Sequence, residues 1–216
     1  MTKSNIVRVF VIRHGQTDHN LQKILQGQLD TPMNATGHQQ SQALGQRFST
    51  IPIDHFVTSD LQRCQETLKY ITQHQKSPSV KVTPNLRERD MGKVQGMYLK
   101  DALEQYGPQF RNYGEKEESL CRRVSLELKE IVEDANHENV IMCTHGGVIT
   151  RFFNYLHSEL GYELNEGLSA KDLRVPFNTS ISIFDVDRST GKGVIQSFGN
   201  TAHLGGDFKV DDQLLR

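Results

Sequence analysis

The chain has no tryptophan and only three cysteines among its 216 residues. Cys64, Cys121 and Cys143 are odd in number and far apart, with no Cys-x-x-Cys pair. That excludes a disulfide scaffold or a thiolate-built zinc site and suits a reducing compartment. Net charge is nearly absent as well: 25 Lys and Arg stand against 26 Asp and Glu. No long-range field draws the protein to nucleic acid or to an anionic membrane, so any anion must be held locally. No apolar run is long enough for a membrane span, and residues 6–12 are too short even for the core of an export signal. The expectation is an unexported, cytoplasmic protein without nucleic-acid or membrane partners. The nine histidines lack His-x-His and His-Glu-x-x-His spacing, and the acids form no tight cluster, so neither a metal nor another cofactor is predicted.

What is present suits an enzyme of ordinary globular composition. A length of 216 residues permits one sizeable core, and no linker, repeat or low-complexity stretch divides it, so a single domain over 1–216 is expected. Residues 6–12, Ile-Val-Arg-Val-Phe-Val-Ile, read as a strand covered on both faces. Thr36-x-x-Gln39 reads as a capping box opening a helix over 36–50, with Ala43, Leu44, Phe48 and Ile51 on its apolar side. A short strand over 55–58 leads to Ser59-x-x-Gln62, read as the cap of a helix carrying Leu61, Cys64, Leu68 and Ile71.

Further strands are predicted over 80–83, 140–143, 179–186 and 194–198, with helices over 120–135 and 148–160 and a glycine-dotted loop over 86–96. This alternation predicts an α/β fold with a mainly parallel sheet and helices on both faces. Ligands of such sheets bind beyond the carboxyl ends of the strands, and the most polar of those ends are His14, Ser59-Asp60 and His145.

Arg13-His14-Gly15-Gln16-Thr17 closes the first strand, and Ser59-Asp60-Leu61-x-Arg63 puts Arg63 in the first turn of a helix. Thr144-His145-Gly146-Gly147 does the same for His145 at the third strand end. Two histidines and two arginines on one edge make a cationic pocket, and guanidinium forks match phosphoryl oxygens bidentately. A neutral imidazole can attack phosphorus, so His14 or His145 is a candidate nucleophile. An alkoxide leaving group needs a general acid, and Glu88 in Leu86-Arg87-Glu88-Arg89-Asp90-Met91-Gly92 is the candidate, with burial raising its pKa. An isolated glutamate beside Arg87 and Arg89 reads equally as a surface carboxylate paired with them.

These motifs together resemble the histidine phosphatase superfamily, in the branch that holds cofactor-dependent phosphoglycerate mutases, the bisphosphatase of fructose 2,6-bisphosphate and broad-specificity phosphatases. The likeness covers nearly the whole chain. It runs through Arg13 to Asn20, Gln26-Gly27-x-x-Asp30-x-Pro32-x-Asn34-x-x-Gly37, Ser59 to Thr67, Leu86 to Gly96, and Thr144 to Gly147.

The resemblance implies a three-layer α/β/α sandwich and metal-free hydrolysis of phosphomonoesters of small metabolites. It further implies that His14 becomes phosphorylated, that Arg13, Arg63 and His145 bind the phosphoryl oxygens, and that Glu88 acts as acid and then base. Asn20, Gln26, Gly27 and the Gly146 backbone match positions around the transferred group or substrate.

Met91 stands where the mutases carry tyrosine, Lys100 is one place out of the mutase register, and the mutases' proline-rich insertion is missing. Those departures favour water as acceptor. A mutase, and a non-catalytic module binding a phospho-ligand or protein, are the alternatives. Arg87, Arg89, Lys100, Arg111 and Lys116 are candidate ligands for a second phosphate, and His203 reads as structural. No exposed apolar helix stands out to indicate an oligomer.

Overall fold

A computed structural model describes residues 4–210. The strands are β1 (Ile6–Arg13), β2 (His55–Ser59), β3 (Val80–Thr83), β4 (Asn139–Thr144), β5 (Glu163–Leu164), β6 (Ile181–Asp187) and β7 (Gly193–Asn200). The helices are α1 (Asp18–Leu21), α2 (Ala35–Phe48), α3 (Gln62–Thr72), α4 (Leu99–Tyr106), α5 (Glu117–Glu133) and α6 (Gly146–Ser158). The strands form one sheet in the order β3-β2-β4-β1-β6-β7-β5. β1 runs parallel to β4, β4 to β2 and β2 to β3, whereas β6 is antiparallel to both its neighbours. The sheet is therefore mainly parallel with one reversed strand, as the alternation predicts.

Period-two alternation divides the core between two faces. Val7, Val9 and Val11 of β1 and Val140 and Met142 of β4 pack with Leu120, Val124 and Leu128 of α5 and Phe152, Phe153 and Leu156 of α6. Phe10, Ile12, Ile141 and Cys143 point the other way, onto Leu44 and Phe48 of α2 and Cys64, Leu68 and Ile71 of α3. Each buried side chain of this size contributes about 1.5–3 kcal/mol, so both helical layers are held firmly to the sheet. The result is a three-layer sandwich. A third cluster, Leu25, Met91, Val94, Leu99, Ala102 and Phe110, gives the excursion between β3 and α5 its own small core.

Three local expectations are corrected. α2 begins two residues earlier than expected: Asn34, not Thr36, is its N-cap, and its Oδ1 accepts from the Gly37 N–H at 2.9 Å. Ser59 does not cap α3, which starts at Gln62; its Oγ accepts from Leu61 N, while Asp30 Oδ1 reaches across to take Gln62 N at 2.6 Å. Residues 179–180 lie outside β6, in a turn where Thr179 adopts φ +58°. α1, α4 and β5 are not among the elements the sequence predicts. The spacing of Leu99, Ala102, Leu103 and Tyr106 is helical, and the predicted loop stops just short of it.

Candidate active site

Because β1 and β4 pair in parallel with Arg13 opposite Thr144, the residues that follow them, His14 and His145, leave the sheet side by side. Their rings lie 5.2 Å apart, centroid to centroid, at 58°. β2 ends beside β4 and delivers Ser59 and then α3 with Arg63. Arg13, His14, Arg63, Glu88 and His145 are all buried, at no more than 2% exposure each. Five ionisable side chains so enclosed are costly to desolvate, which makes the cluster the candidate site.

The His14 ring has a defined orientation. Its Nδ1 lies 2.7 Å from the Gly15 carbonyl oxygen, which can only accept, so Nδ1 carries the proton and the lone pair is on Nε2. Gly15 N donates to Thr67 Oγ1 on α3 at 2.9 Å, fixing the turn. A Cβ on Gly15 would meet Met33 Sδ at 2.4 Å and the Gly37 carbonyl oxygen at 2.7 Å, so the loop after β1 sits directly on α2.

Arg63 is held by three protein acceptors: Nη1 donates to Leu29 O at 2.7 Å, Nη2 to Gly27 O at 3.0 Å and Nε to His145 Nδ1 at 3.2 Å. A lone pair on Nδ1 puts the His145 proton on Nε2, which donates to Ser59 Oγ at 3.1 Å. The hydroxyl expected to cap a helix instead orients the second histidine. Arg13 Nη1 donates to Pro176 O at 2.7 Å.

Glu88 is not a surface carboxylate. Its Oε1 accepts from Arg89 N and its Oε2 from Gly147 N, both at 2.9 Å, so it faces the first turn of α6. The chain around it is tied down. Thr144 Oγ1 donates to Leu86 O, Arg123 to Asn85 O and Glu88 O, and Gln28 Nε2 to Glu88 O. Buried Glu127 on α5 takes bonds from Thr83 Oγ1 and Asn85 Nδ2 just upstream.

The remaining predicted residues have visible duties. Asn20 Oδ1 accepts from Thr17 N and from Asn178 Nδ2. Gln26 is buried, with Oε1 accepting from Thr17 Oγ1 and Thr31 Oγ1, and Gly27 offers its carbonyl to Arg63. Gly146 opens α6. Arg87 is bidentate on Asp60 at 2.8 and 2.6 Å, and buried Arg89 donates through Nη1 to Tyr113 O and Glu115 O. Both are engaged by protein acceptors. Lys100 is exposed.

No site role is predicted from the sequence for residues 176–179. Asn178 Nδ2 donates to His14 O at 2.9 Å, and Thr179 N donates to Arg13 O at 3.0 Å. Their only sequence signal is the Pro-x-Asn turn chemistry ahead of β6. His203, read as structural, donates from Nε2 to Thr179 Oγ1 at 3.3 Å, because that hydroxyl gives its own proton to Asn178 O. Burial, helped by Arg47, pushes its pKa down to about 4.

Among the described residues, no group of three His, Cys, Asp or Glu side chains is placed to hold a metal ion, and no helix is long and apolar enough to cross a membrane. The larger surface grooves, of about 570 and 790 Å³, share no lining residue with the five-residue cluster, so concavity alone does not mark it.

The sequence model of the histidine phosphatase superfamily, branch 1, matches residues 9–201. The chain belongs to this superfamily. A relative in this histidine phosphatase family, a broad-specificity phosphatase of Saccharomyces cerevisiae, is 38% identical over 226 residues, spanning 99% of this chain and 94% of its own. A metal-independent phosphoserine phosphatase of Arabidopsis thaliana is 28% identical over 94% of this chain and 85% of its own. The solved structure of a phosphoglycerate mutase from Bacillus anthracis superposes with a TM-score of 0.78 at 21% identity, covering 94% of this chain and 97% of that one, and shares the fold. Its phosphatase-named relatives put this histidine phosphatase among the phosphoric monoester hydrolases.

Proposed function

We propose that this histidine phosphatase hydrolyses phosphomonoesters of small metabolites through a phosphohistidine on His14, without a metal. The observation that carries the reading is the 2.7 Å contact of His14 Nδ1 with the Gly15 carbonyl, which gives Nε2 the lone pair. That lone pair attacks phosphorus as the ester P–O bond breaks, and the departing oxygen takes the proton of the Glu88 carboxyl. Glu88, now a carboxylate, removes a proton from water. The hydroxide attacks phosphorus, the P–N bond breaks, and phosphate leaves with Nε2 restored.

Arg13, Arg63 and His145 surround the transferred group and offset its negative charge. Asn20, Gln26, Gly27 and the Gly146 backbone border it. Hydrolysis is favoured over the mutase reading because Arg87 is taken by Asp60 and Arg89 by backbone carbonyls, so neither clamps a bisphosphate for return.

The test is phosphate release, with EDTA present, from 3-phosphoglycerate, fructose 2,6-bisphosphate, sugar phosphates, nucleotides and p-nitrophenyl phosphate. Release by the wild type and its loss in His14→Ala are expected. Undiminished release by His14→Ala, or loss of activity to EDTA alone, would refute the covalent metal-free mechanism.

A further inference from the structure

The backbone that carries Glu88 is gripped from outside by one side chain of α5. The Arg123 guanidinium donates through Nη1 to Asn85 O at 2.6 Å and through Nη2 to Glu88 O at 3.3 Å, so it bridges the approach to the candidate acid and the acid itself. The other edge of the fork is taken by Glu115, whose two carboxylate oxygens accept from Nε and Nη2 at 2.8 and 2.9 Å. The two side chains are only 16% and 14% exposed, so water screens this pair far less than a surface ion pair. A bidentate carboxylate fixes the plane of a guanidinium, and that plane sets where its outer N–H groups point.

Glu115 is itself tied to the far end of the acid loop. Its N–H donates to Asp90 O at 2.9 Å, and its carbonyl oxygen accepts from Arg89 Nη1 at 3.3 Å. Gly114, at φ +79°, lets this segment come so close that a Cβ there would meet Gly92 N at 2.7 Å. Gln28 Nε2 holds Glu88 O from the opposite side at 3.2 Å. Within this frame the Glu88 carboxyl accepts from Arg89 N and Gly147 N, both at 2.9 Å. Arg123 thus directs its donors at the acid loop and at the segment laid against it, rather than at its own helix.

We propose that Arg123, locked in place by Glu115, is a positioning residue of this site: by fixing the Glu88 backbone it holds the carboxyl in line with the departing ester oxygen. A proton donor works only within hydrogen-bond reach of the atom it protonates, and a misplacement of about 1 Å costs about 10²-fold in rate. The proposal rests on the phosphatase reading above and adds to it the group that orients its acid.

Arg123→Met keeps the length of the stem and removes every donor. On the alkyl phosphate that the wild type turns over best, it should lower kcat by about 10- to 10²-fold with KM little changed. Turnover of p-nitrophenyl phosphate, whose leaving group needs no proton, should stay within about twofold. Arg123→Lys, which retains the charge without the fork, should fall between. In a Glu88→Gln background Arg123→Met should cost nothing further on the alkyl ester, because the acid it positions is already gone. A residue that only supports the fold would slow both esters alike and in both backgrounds.

Amide hydrogen exchange reads the same relationship without catalysis. The Arg89 and Gly147 N–H groups donate to the Glu88 carboxyl, so Arg123→Met should speed their exchange by about fivefold or more while the amides inside α5 stay protected. Glu115→Gln, which leaves Arg123 in place and breaks the ion pair, should shift both readouts in the same direction, and it takes over the test if Arg123→Met does not fold. Equal losses on the two esters, an undiminished loss in the Glu88→Gln background, or unchanged exchange at residues 89 and 147 overturns the proposal. A wild type that releases no phosphate, with exchange still faster in the variant, refutes the phosphatase reading and leaves Arg123 as the residue that sets Glu88.

Discussion

The Glu88 carboxyl occupies the space that a side chain on Gly147 would need: a Cβ at position 147 would meet Oε1 at 2.5 Å and the carboxyl carbon at 3.0 Å. The second glycine after His145 is thus a requirement of the acid, not of the helix. Alanine is favoured over glycine within a helix by about 0.5–1 kcal/mol, which at buried position 147 opposes the cost of displacing the Glu88 carboxyl. Gly147→Ala should therefore leave the thermal midpoint nearly unchanged while lowering kcat by about 10²-fold or more, as expected when a general acid is displaced. Unchanged kcat on an alkyl phosphate would show that Glu88 is not the acid.

Glu88→Gln keeps the shape of the side chain and removes its titratable proton. Turnover of alkyl phosphates should fall by about 10²- to 10⁴-fold, while p-nitrophenyl phosphate, whose phenolate leaves without protonation, should lose far less. Equal losses on both would take Glu88 out of proton transfer.

Asn178→Ala removes the amide that donates to His14 O and to Asn20 Oδ1. A buried carbonyl that loses a donor costs about 1–3 kcal/mol. The urea midpoint should drop accordingly, and kcat should drop with it, because the same bond orients the nucleophile's backbone. Loss of stability with kcat intact would make Asn178 a purely structural residue.

Acid should destabilise the protein through His203. Its folded pKa is near 4, below the ordinary 6.5, so between those values the unfolded chain takes up a proton that the folded one refuses. Stability is then full above about pH 6.5 and falls as pH drops toward 4. Burial, together with His137 and Lys81, also lowers the pKa of His55 and acts in the same direction. His203→Asn should flatten part of the decline in urea midpoint between pH 7 and pH 4.5. An unchanged slope would show that residue 203 titrates as it does in the unfolded chain.

Thiol reagents should act slowly on the native protein. All three cysteines are free and buried, and burial pushes Cys121 up to about 11 and raises Cys64 well above its ordinary range. Iodoacetamide at pH 7.5 should leave activity intact until denaturant is added. Rapid inactivation would point to an exposed reactive thiol.

Most of this architecture is legible in the sequence because its signals are local. The continuous apolar runs at residues 6–12 and 140–143 announce buried parallel strands, and polar residues at their ends mark the catalytic edge. His14, Arg63, Glu88 and His145 stand in motifs of fixed spacing, and all four are buried in the folded chain. Less legible are contacts made across long separations. Ser59 looks like a helix cap and serves His145, Asp30 caps a helix more than thirty residues away, and Asn178 reaches His14 from far along the chain. The reversed direction of β6 is equally invisible, since antiparallel and parallel buried strands share the same β-branched composition.

Residues 176–179 floor the nucleophile's turn, yet they lie more than 160 positions beyond it. During synthesis His14 leaves the ribosome more than 160 residues ahead of the amide that steadies its carbonyl. The candidate site is therefore completed late, and a nascent chain stopped at residue 170 holds His14 without its support.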